Sequence, residues 1–312
     1  MAIPPLTVHH LRDLTLDPAT HPRGQAHLSA ASGLVRLPGK FARQFVAVAD
    51  DEHYMGVFDE SGEAPVRLLR LFEGDLPDSK KKRKALKPDL ETLLELPPMP
   101  GYAAGALLAL GSGSRPNRQA GVLLPVDGLE DAAAARSVDL GPLYAPLTEQ
   151  FKHLNIEGGF VVGGEFRLLQ RGSKKDRSNA CISFDWDAVA AWLLGRAAAP
   201  LATSMRHYAL GEIDGVPLAF TDSAALPDGG WVFSTVAEDS DDSYEDAPCA
   251  GAAVGCVGED RLLRWIRTIE PAWKIEGIAA RLADGVLTLT MVTDADDPEV
   301  PSHLLRATLP TA

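Results

Sequence analysis

The sequence predicts an all-β fold, a single β-propeller of five four-stranded blades over residues 1–312, with six blades as the alternative. A motif in which a polar residue, an aliphatic residue and an acid precede Gly or Thr recurs at Asp89–Thr92, Asn155–Gly158, Glu212–Gly215 and Lys274–Gly277. A fainter copy, Ala31–Leu34, has Ser32 in place of the acid. The copies lie about sixty residues apart, and several short strand-like segments separated by turn residues follow each one. Such a repeat is typical of propeller blades.

The spacing of the motif defines the expected blades. They span residues 29–75, 88–145, 155–205, 212–268 and 274–310. The last blade has room for only three strands, so we expect an N-terminal strand within 6–16 to complete it and close the ring. A helical insert is predicted at Asp187–Arg196, because its apolar residues recur at helical spacing, with Asp185 or Asp187 as its cap.

Composition limits the classes of partner. The formal net charge of −13 argues against general nucleic-acid binding, which needs a basic face. No apolar run reaches the length of a membrane span, and the first residues lack the features of a secretory signal. Cys181, Cys249 and Cys256 are odd in number and unpaired in spacing, which indicates reduced thiols. We therefore expect a cytoplasmic protein without a nucleic-acid or membrane partner, and the sequence specifies no protein partner.

The repeated acid predicts a site on the propeller axis. The first strand of each blade lines the channel, so we expect a ring formed by Glu91, Glu157, Asp214 and Glu276, with Ser32 in the fifth place. Mutual repulsion and burial would raise the pKa values of some of these acids. A bound divalent cation, paired Arg or Lys, or shared protons would relieve the strain, and oxygen ligands favour Ca²⁺ first and Mg²⁺ second. Alternatively, the acids accept backbone hydrogen bonds between blades.

Loops after the second strand of each repeat should open at the same mouth of the channel. Repeats two and three supply cationic side chains there: Arg115, Arg118, Arg171, Lys174, Lys175 and Arg177. The other repeats supply acids, in Asp50–Glu52, Glu238–Asp246 and Asp294–Asp297. Such a face predicts that a small anion binds to Arg115, Arg171, Lys174 and Arg177 against a metal. The alternative is a solvated rim of ion pairs, each of small energy.

Two further features bear on function. The basic run Lys80–Lys84 resembles a nuclear-localisation or phosphate-binding patch; it forms either an exposed loop or an overhang that attracts anions to the channel mouth. His153 and His207 are the histidines nearest the motif segments, and each is a candidate general base or a surface histidine. The catalytic residues are otherwise unspecified, since the sequence has no GxSxG or HExxH motif.

The motifs carry a resemblance. Asp89–Thr92, Asn155–Gly158 and Lys274–Ala279, followed by Val292–Asp297, resemble repeats of uncharacterised bacterial propellers related to the esterase-like phytase group. The gluconolactonase and paraoxonase propellers are more distantly similar. The resemblance implies channel acids that often hold Ca²⁺. The chain departs from it in having Thr92 for Gly, the shorter Asp214 for Glu, and no complete set of lactonase ligands.

Three functions remain open from the sequence. The first is a propeller whose acidic channel binds Ca²⁺ and a small anionic ligand, with hydrolysis of a phosphoester, ester or lactone as its reaction. In the second, a non-enzymatic scaffold or sensor binds a protein or ligand on its top face or through Lys80–Lys84. The third is a structural ring of acids paired with Arg115 and Arg171.

Overall fold

A computed structural model describes residues 4–130, 134–239 and 249–310, in which five antiparallel blades follow one another along the chain. The prediction of a five-bladed all-β propeller is confirmed. Two short strands at the N-terminus, β1 (Leu6–Thr7) and β2 (His9–Asp13), join blades that are otherwise formed by later parts of the chain. Strand β2 pairs with the last strand of the chain and closes the ring as expected, whereas β1 adds in parallel to the edge of the fourth blade.

Each of the first two blades contains the four strands that the sequence predicts. Blade one consists of β3 (Ala31–Arg36), β4 (Gln44–Ala49), β5 (Tyr54–Asp59) and β6 (Arg67–Arg70). Helix α1 (Lys80–Leu86) then crosses to the second blade, so the basic run is helical and not an extended loop. Blade two consists of β7 (Leu90–Leu96), β8 (Ala106–Gly111), β9 (Ala120–Pro125) and β10 (Arg136–Asp139).

Two helices flank the strands of blade three. Helix α2 (Gly141–Thr148) leads into the blade, which consists of β11 (Ile156–Val162), β12 (Glu165–Gln170), β13 (Ala180–Asp185) and, after helix α3 (Trp186–Leu193), β14 (Ser204–His207). The predicted insert corresponds to α3, and its cap is Asp185, whose carboxylate accepts a hydrogen bond from the Ala188 N–H at 2.9 Å. No helix in the described part of the chain is long and apolar enough to cross a membrane.

Blade four is preceded by a small hairpin that the sequence did not indicate, β15 (Glu212–Ile213) with β16 (Val216–Pro217). The blade itself consists of β17 (Ala219–Ala225), β18 (Trp231–Glu238), β19 (Cys249–Val257) and β20 (Leu263–Glu270). Blade five consists of β21 (Ile275–Ala283), β22 (Val286–Thr293) and β23 (His303–Pro310). Of the predicted acidic loop Glu238–Asp246, residues 240–246 lie outside the described residues.

Several strands are aliphatic throughout and do not alternate between apolar and polar residues, because both faces of each blade pack against neighbouring blades. Every residue of β8 is buried, because the sheet is covered by blade one on one side and blade three on the other. Leu108 and Leu123 of blade two share a cluster with Phe166 and Ile182 of blade three. Burial of these side chains stabilises the ring and fixes the positions of the five inner strands.

Each inner strand contains a β-bulge, and these bulges shape the channel. The residues left out of the pairing are Gly33, Glu91, Glu157, Thr221 and Glu276. A bulge redirects the side chain of its extra residue, and three of these five are glutamates. Gly33 has φ +58°, and a Cβ there would lie 2.6 Å from the Leu93 nitrogen of the neighbouring blade. The bulge therefore needs glycine at this position.

Candidate functional site

A cavity of about 100 Å³ lies at one mouth of the channel. It is lined by the bulged inner strands, by the loops after the second strands and by α1. Glu91, Glu157 and Glu276 line it, as does Ser32, so four of the five expected ring positions meet there. Each of the five loops predicted to open at this mouth contributes at least one lining residue: Asp50, Arg118, Arg171 and Lys174, Glu238, and Asp294 and Asp296.

Asp214 does not line the cavity. It is exposed and occupies the turn of the β15–β16 hairpin, with φ +50°. The fourth motif copy belongs to this hairpin, and the bulge of blade four falls at Thr221. In blade one the bulge is at Gly33, one residue after the predicted Ser32. The expected ring is therefore corrected to three glutamates, with Gly33 and Thr221 at the two remaining bulges.

The other candidate residues separate into two groups. Arg171 and Lys174 line the cavity, whereas Arg115 and Arg177 are exposed and do not. Arg177 approaches Glu212 at 3.4 Å on the surface. His153 and His207 are exposed outside the cavity, and His207 lies on β14, the outermost strand of its blade. Neither histidine is placed to act as a base on a ligand in the cavity.

Side chains of both charges line the cavity. Its eight acids are Asp50, Asp89, Glu91, Glu157, Glu238, Glu276, Asp294 and Asp296. Its six cations are Lys84, Lys87, Arg118, Arg171, Lys174 and Lys274. With every group ionised the lining carries a formal charge of −2, and it offers oppositely charged side chains to a cation and to an anion.

Arg171 and Lys274 connect the acids of blades three, four and five. Arg171 Nη1 lies 3.1 Å from Glu157 Oε2 and 3.8 Å from Glu276 Oε2, and its second amino group bonds to Glu238. Lys274 Nζ lies 2.8 Å from Glu238 Oε1 and 3.3 Å from Glu276 Oε1. Burial raises the pKa of Glu276 to about 8, although Lys274 and Arg171 act in the opposite direction. This half of the cavity matches the predicted alternative of acids paired with Arg171.

Lys87 and Arg118 hold the acids of blades one and two. Lys87 Nζ bonds to Asp50 and lies 2.9 Å from Asp89 Oδ1. Arg118 Nη1 donates to Asp89 Oδ2 at 2.8 Å, and the Ser112 hydroxyl donates to the same oxygen at 2.5 Å. Both oxygens of Asp89 are thus occupied, which fixes its carboxylate at the cavity wall.

Glu91 differs from the other two ring glutamates. Within the described ranges it forms neither a hydrogen bond nor an ion pair, while Glu157 also accepts a 2.6 Å hydrogen bond from Asn155 Nδ2. Burial raises the pKa of Glu91 well above its usual range, and the charges of Glu157, Asp89 and Asp50 raise it further. One oxygen from each of Asp50, Asp89 and Glu91 lies within 4.8 Å of the others. These three carboxylates are a candidate site for a hard cation.

Helix α1 covers one side of the cavity mouth. Arg83 is buried and donates to Asp51 Oδ2 at 2.9 Å and to the carbonyl oxygen of Asp78 at 2.8 Å. Lys84 lines the cavity, and Lys80 Nζ reaches the carbonyl oxygen of Asp296 at 3.2 Å. The basic run thus overhangs the channel mouth, with Lys81 and Lys82 exposed.

Asp222, which the sequence did not indicate, lies on β17 between Ala219, which lines this cavity, and Ser223, which lines a second cavity. Its Oδ2 accepts hydrogen bonds from Leu34 N at 3.1 Å and Ile278 N at 2.8 Å, and the residue is fully buried. The second cavity, of about 400 Å³, lies at the other mouth, and its lining includes Leu93 and Phe160 together with Arg36 and Glu95. An acid within the apolar segment Leu218–Ala225 was the available signal.

The motif itself held the signal for other missed residues. Asp89, Asn155 and Lys274 occupy its first position, two residues before the glutamates, and all three line the cavity. The polar first residue is therefore part of the site. Lys87, which lies just before the motif copy Asp89–Thr92, is buried although it belongs to a basic segment.

Comparison with solved structures identifies the fold. The catalytic domain of an α-L-arabinofuranosidase from Coprinopsis cinerea aligns over 98% of each chain with a TM-score of 0.54 and 8% identity. A gluconolactonase from Xanthomonas campestris aligns with a TM-score of 0.42 and 13% identity, over 88% of this chain and 70% of its own. Hydrazine synthase from Kuenenia stuttgartiensis aligns with a TM-score of 0.40 and 9% identity, over 91% of this chain but only 66% of its own.

Sequence comparison places the chain in a family. The search of curated proteins finds no significant match. A family profile, by contrast, matches residues 83–298, which include the C-terminal part of α1, the three ring glutamates and the whole of blades two to four. The chain therefore belongs to DUF6910, a family of unknown function.

Proposed function

We propose that this protein binds a divalent cation, Ca²⁺ in preference to Mg²⁺, in the central cavity and uses it to hold a small anionic ligand. The observation that carries the proposal is the group formed by Asp50, Asp89 and Glu91, whose oxygens lie within 4.8 Å of one another. Glu91 lines the cavity and forms no hydrogen bond or ion pair in the described part of the chain, although the charge of Lys87 acts on it. A cation there would relieve the repulsion that raises its pKa.

The donor set supports a hard cation of modest affinity. All three candidate ligands are carboxylates, which suit Ca²⁺ and Mg²⁺ better than softer metals. Lys87 and Arg118 already bind Asp50 and Asp89, so a cation would share these acids. We therefore expect a dissociation constant of about 10⁻⁴–10⁻³ M, as in the weaker protein calcium sites.

The cations around the same cavity favour an anionic ligand. Arg171 and Lys174 lie on one side and Lys84 on the other, and a cavity of about 100 Å³ admits a phosphate- or carboxylate-sized group. The Lys174 side chain is 45% exposed and pairs with Asp239 at the mouth. It is therefore placed to exchange this surface partner for an entering anion, whereas Arg171 is fixed between buried acids.

We further propose hydrolysis of a phosphoester, ester or lactone as the reaction, in keeping with the resemblance to phytase-like and gluconolactonase propellers. A bound cation supplies a Lewis acid for such a substrate. Among the protein's own groups, Glu276 has a pKa of about 8 because of burial, which suits a general base near neutral pH. Arg171 and Lys274 would orient its carboxylate, which they contact at 3.8 Å and 3.3 Å.

Calorimetric titration of Ca²⁺ into the metal-free protein tests the cation site. We expect one binding event in the wild type, its loss in Glu91→Gln, and an unchanged event in Asp214→Asn. The control removes a carboxylate from the surface hairpin, outside the cavity. Equal heats for wild type and Glu91→Gln would contradict the proposal.

The reaction is tested separately with aryl phosphate, aryl ester and lactone substrates in the presence of Ca²⁺. Turnover of one class should be lost in Glu276→Gln while Ca²⁺ binding persists. Ca²⁺ binding without turnover of any of these substrates would support a binding function and would contradict the proposed hydrolysis.

The top face favours a second candidate, a non-enzymatic sensor or scaffold. Helix α1 exposes Lys81, Lys82 and Leu86 beside the cavity mouth, and the Leu86 side chain is 62% exposed. These residues present two lysines and a leucine to solvent, which suits an acidic partner that also has an apolar residue. A partner that is retained by the wild type, lost in Lys81→Glu/Lys82→Glu, and indifferent to Ca²⁺ would favour this function over hydrolysis.

A further inference from the structure

Two histidines and an aspartate meet at the seam where the ring closes, away from the central cavity. His10 Nε2 lies 2.8 Å from Asp13 Oδ1, and His303 Nδ1 lies 2.6 Å from the same oxygen. His10 and Asp13 belong to β2, and His303 belongs to β23. One nitrogen from each histidine and one aspartate oxygen lie within 4.8 Å of one another.

A bulge in β2 brings these side chains together. Residues three apart in a regular strand point to opposite faces of the sheet. In β2 the pairing shifts between His10 and Arg12, so that His10 opposes Leu305 while Asp13 opposes His303. The extra residue places His10 and Asp13 on the same face. Closure of the blade then adds His303 from the neighbouring strand.

The surroundings hold the cluster open to solvent on one side. The side chains of His10 and Asp13 are 45% and 42% exposed, whereas His303 is 17% exposed. The Trp273 ring packs edge-on against His303, with centroids 4.8 Å apart. Trp273 thus restricts the His303 ring on its buried side, and His10 and Asp13 contact His303 from the side that faces solvent.

Both histidines contact the same oxygen of Asp13, so the three side chains already converge on one point. A carboxylate with two imidazole nitrogens is a donor set that suits Zn²⁺ and related transition metals better than Ca²⁺.

We propose that His10, Asp13 and His303 bind a transition-metal ion of the Zn²⁺ class and thereby fasten the N-terminal strand to the end of the chain. Three protein ligands leave a fourth position for water. Strand β2 is the outer edge of its blade and, among the strands of the described residues, pairs with β23 alone. A metal that joins the two strands binds only the closed ring, so it stabilises the folded protein by mass action.

The test is a Zn²⁺ titration of tag-free protein by calorimetry, repeated with Co²⁺ and read by visible absorption. A Glu91→Gln background removes the proposed central site. We expect one Zn²⁺ per chain, a visible Co²⁺ band, and binding weakened at least about tenfold in His10→Gln and in His303→Gln. The matched control is His9→Gln, an exposed histidine adjacent in β2 that is not one of the three ligands.

A second measurement follows the strand itself. Amide hydrogen exchange in β2 should slow when Zn²⁺ is added to the wild type, with no change in His10→Gln/His303→Gln. Absence of Zn²⁺ binding in the wild type, or equal binding in wild type and the double variant, would overturn the proposal. The cluster would then be a hydrogen-bonded clasp without metal.

Discussion

The carboxylate of Asp222 accepts a 3.1 Å hydrogen bond from the backbone N–H of Leu34, across the channel. Asp222 belongs to blade four and Leu34 to blade one, and these blades are not neighbours in the ring. The same oxygen also binds the Ile278 N–H of blade five. One side chain therefore ties three inner strands together between the two cavities.

Replacing Asp222 with Ala should strongly destabilise the protein. The change leaves two buried backbone N–H groups without partners, and each costs about 1–3 kcal/mol. We expect the free energy of unfolding, measured by guanidinium denaturation, to fall by about 2–6 kcal/mol. Asp222→Asn keeps an acceptor oxygen for these N–H groups, so it should lose much less. Equal losses in the two variants would contradict this role of Asp222.

Arg171 and Arg177 were equivalent candidates in the sequence, and the structure predicts that they differ in energy. Arg171→Ala leaves Glu157 buried without its cation, while Glu238 keeps Lys274, and the loss costs about 3–5 kcal/mol. Arg177 forms an exposed pair with Glu212, with side chains 61% and 50% exposed, so Arg177→Ala should cost less than about 1 kcal/mol. Chemical denaturation of both variants checks the difference, and similar values would show that the buried network is not stabilising.

The stability of the metal-free protein should fall as the pH rises from 5 to 8. Burial raises the pKa values of Glu157, Glu276 and Asp294, the second to about 8. These carboxyls bind protons more tightly in the folded state, so their effect favours folding at low pH and is lost as pH rises through the folded pKa. Burial opposes the charge of Lys87 and Lys274, but nearby carboxylates outweigh it and raise their pKa values, so both stay charged in this window.

Urea denaturation midpoints at pH 5, 6.5 and 8 measure this dependence. The decrease of the midpoint between pH 5 and 8 should be smaller in Glu276→Gln, which has one carboxyl fewer. Ca²⁺ added to the wild type at pH 8 should also reduce this decrease. A midpoint that rises steadily from pH 5 to 8 would mean that ion pairing outweighs burial in the cavity.

The fold was largely predictable because each blade repeats the same physical problem. Four short strands must bury both faces against neighbouring blades, and the period of the motif survives in the sequence. Closure by an N-terminal strand followed from the missing strand of blade five. Helix α1 was not predicted, because its lysine-rich sequence has no apolar periodicity and Arg83 is buried through its hydrogen bonds.

The site was predictable where the bulge coincides with the acid. Glu91, Glu157 and Glu276 satisfy this condition, and the structure brings them together. Asp214 matches the motif and its spacing, but its Asp-Gly sequence forms a hairpin turn instead. The choice between these local structures depends on the paired strand, which the motif alone does not specify. Lys87 and Lys274 also could not be identified as partners of the acids from the motif, because these contacts form only when the blades meet around the channel.

The most direct test of the cation site is a crystal structure of the protein soaked in Ca²⁺ or Mn²⁺, with anomalous data. We predict an anomalous peak between the carboxylates of Asp50, Asp89 and Glu91, absent from crystals of Glu91→Gln. A cavity without such a peak in the wild type, in which Lys87 still bridges Asp50 and Asp89, would contradict the account.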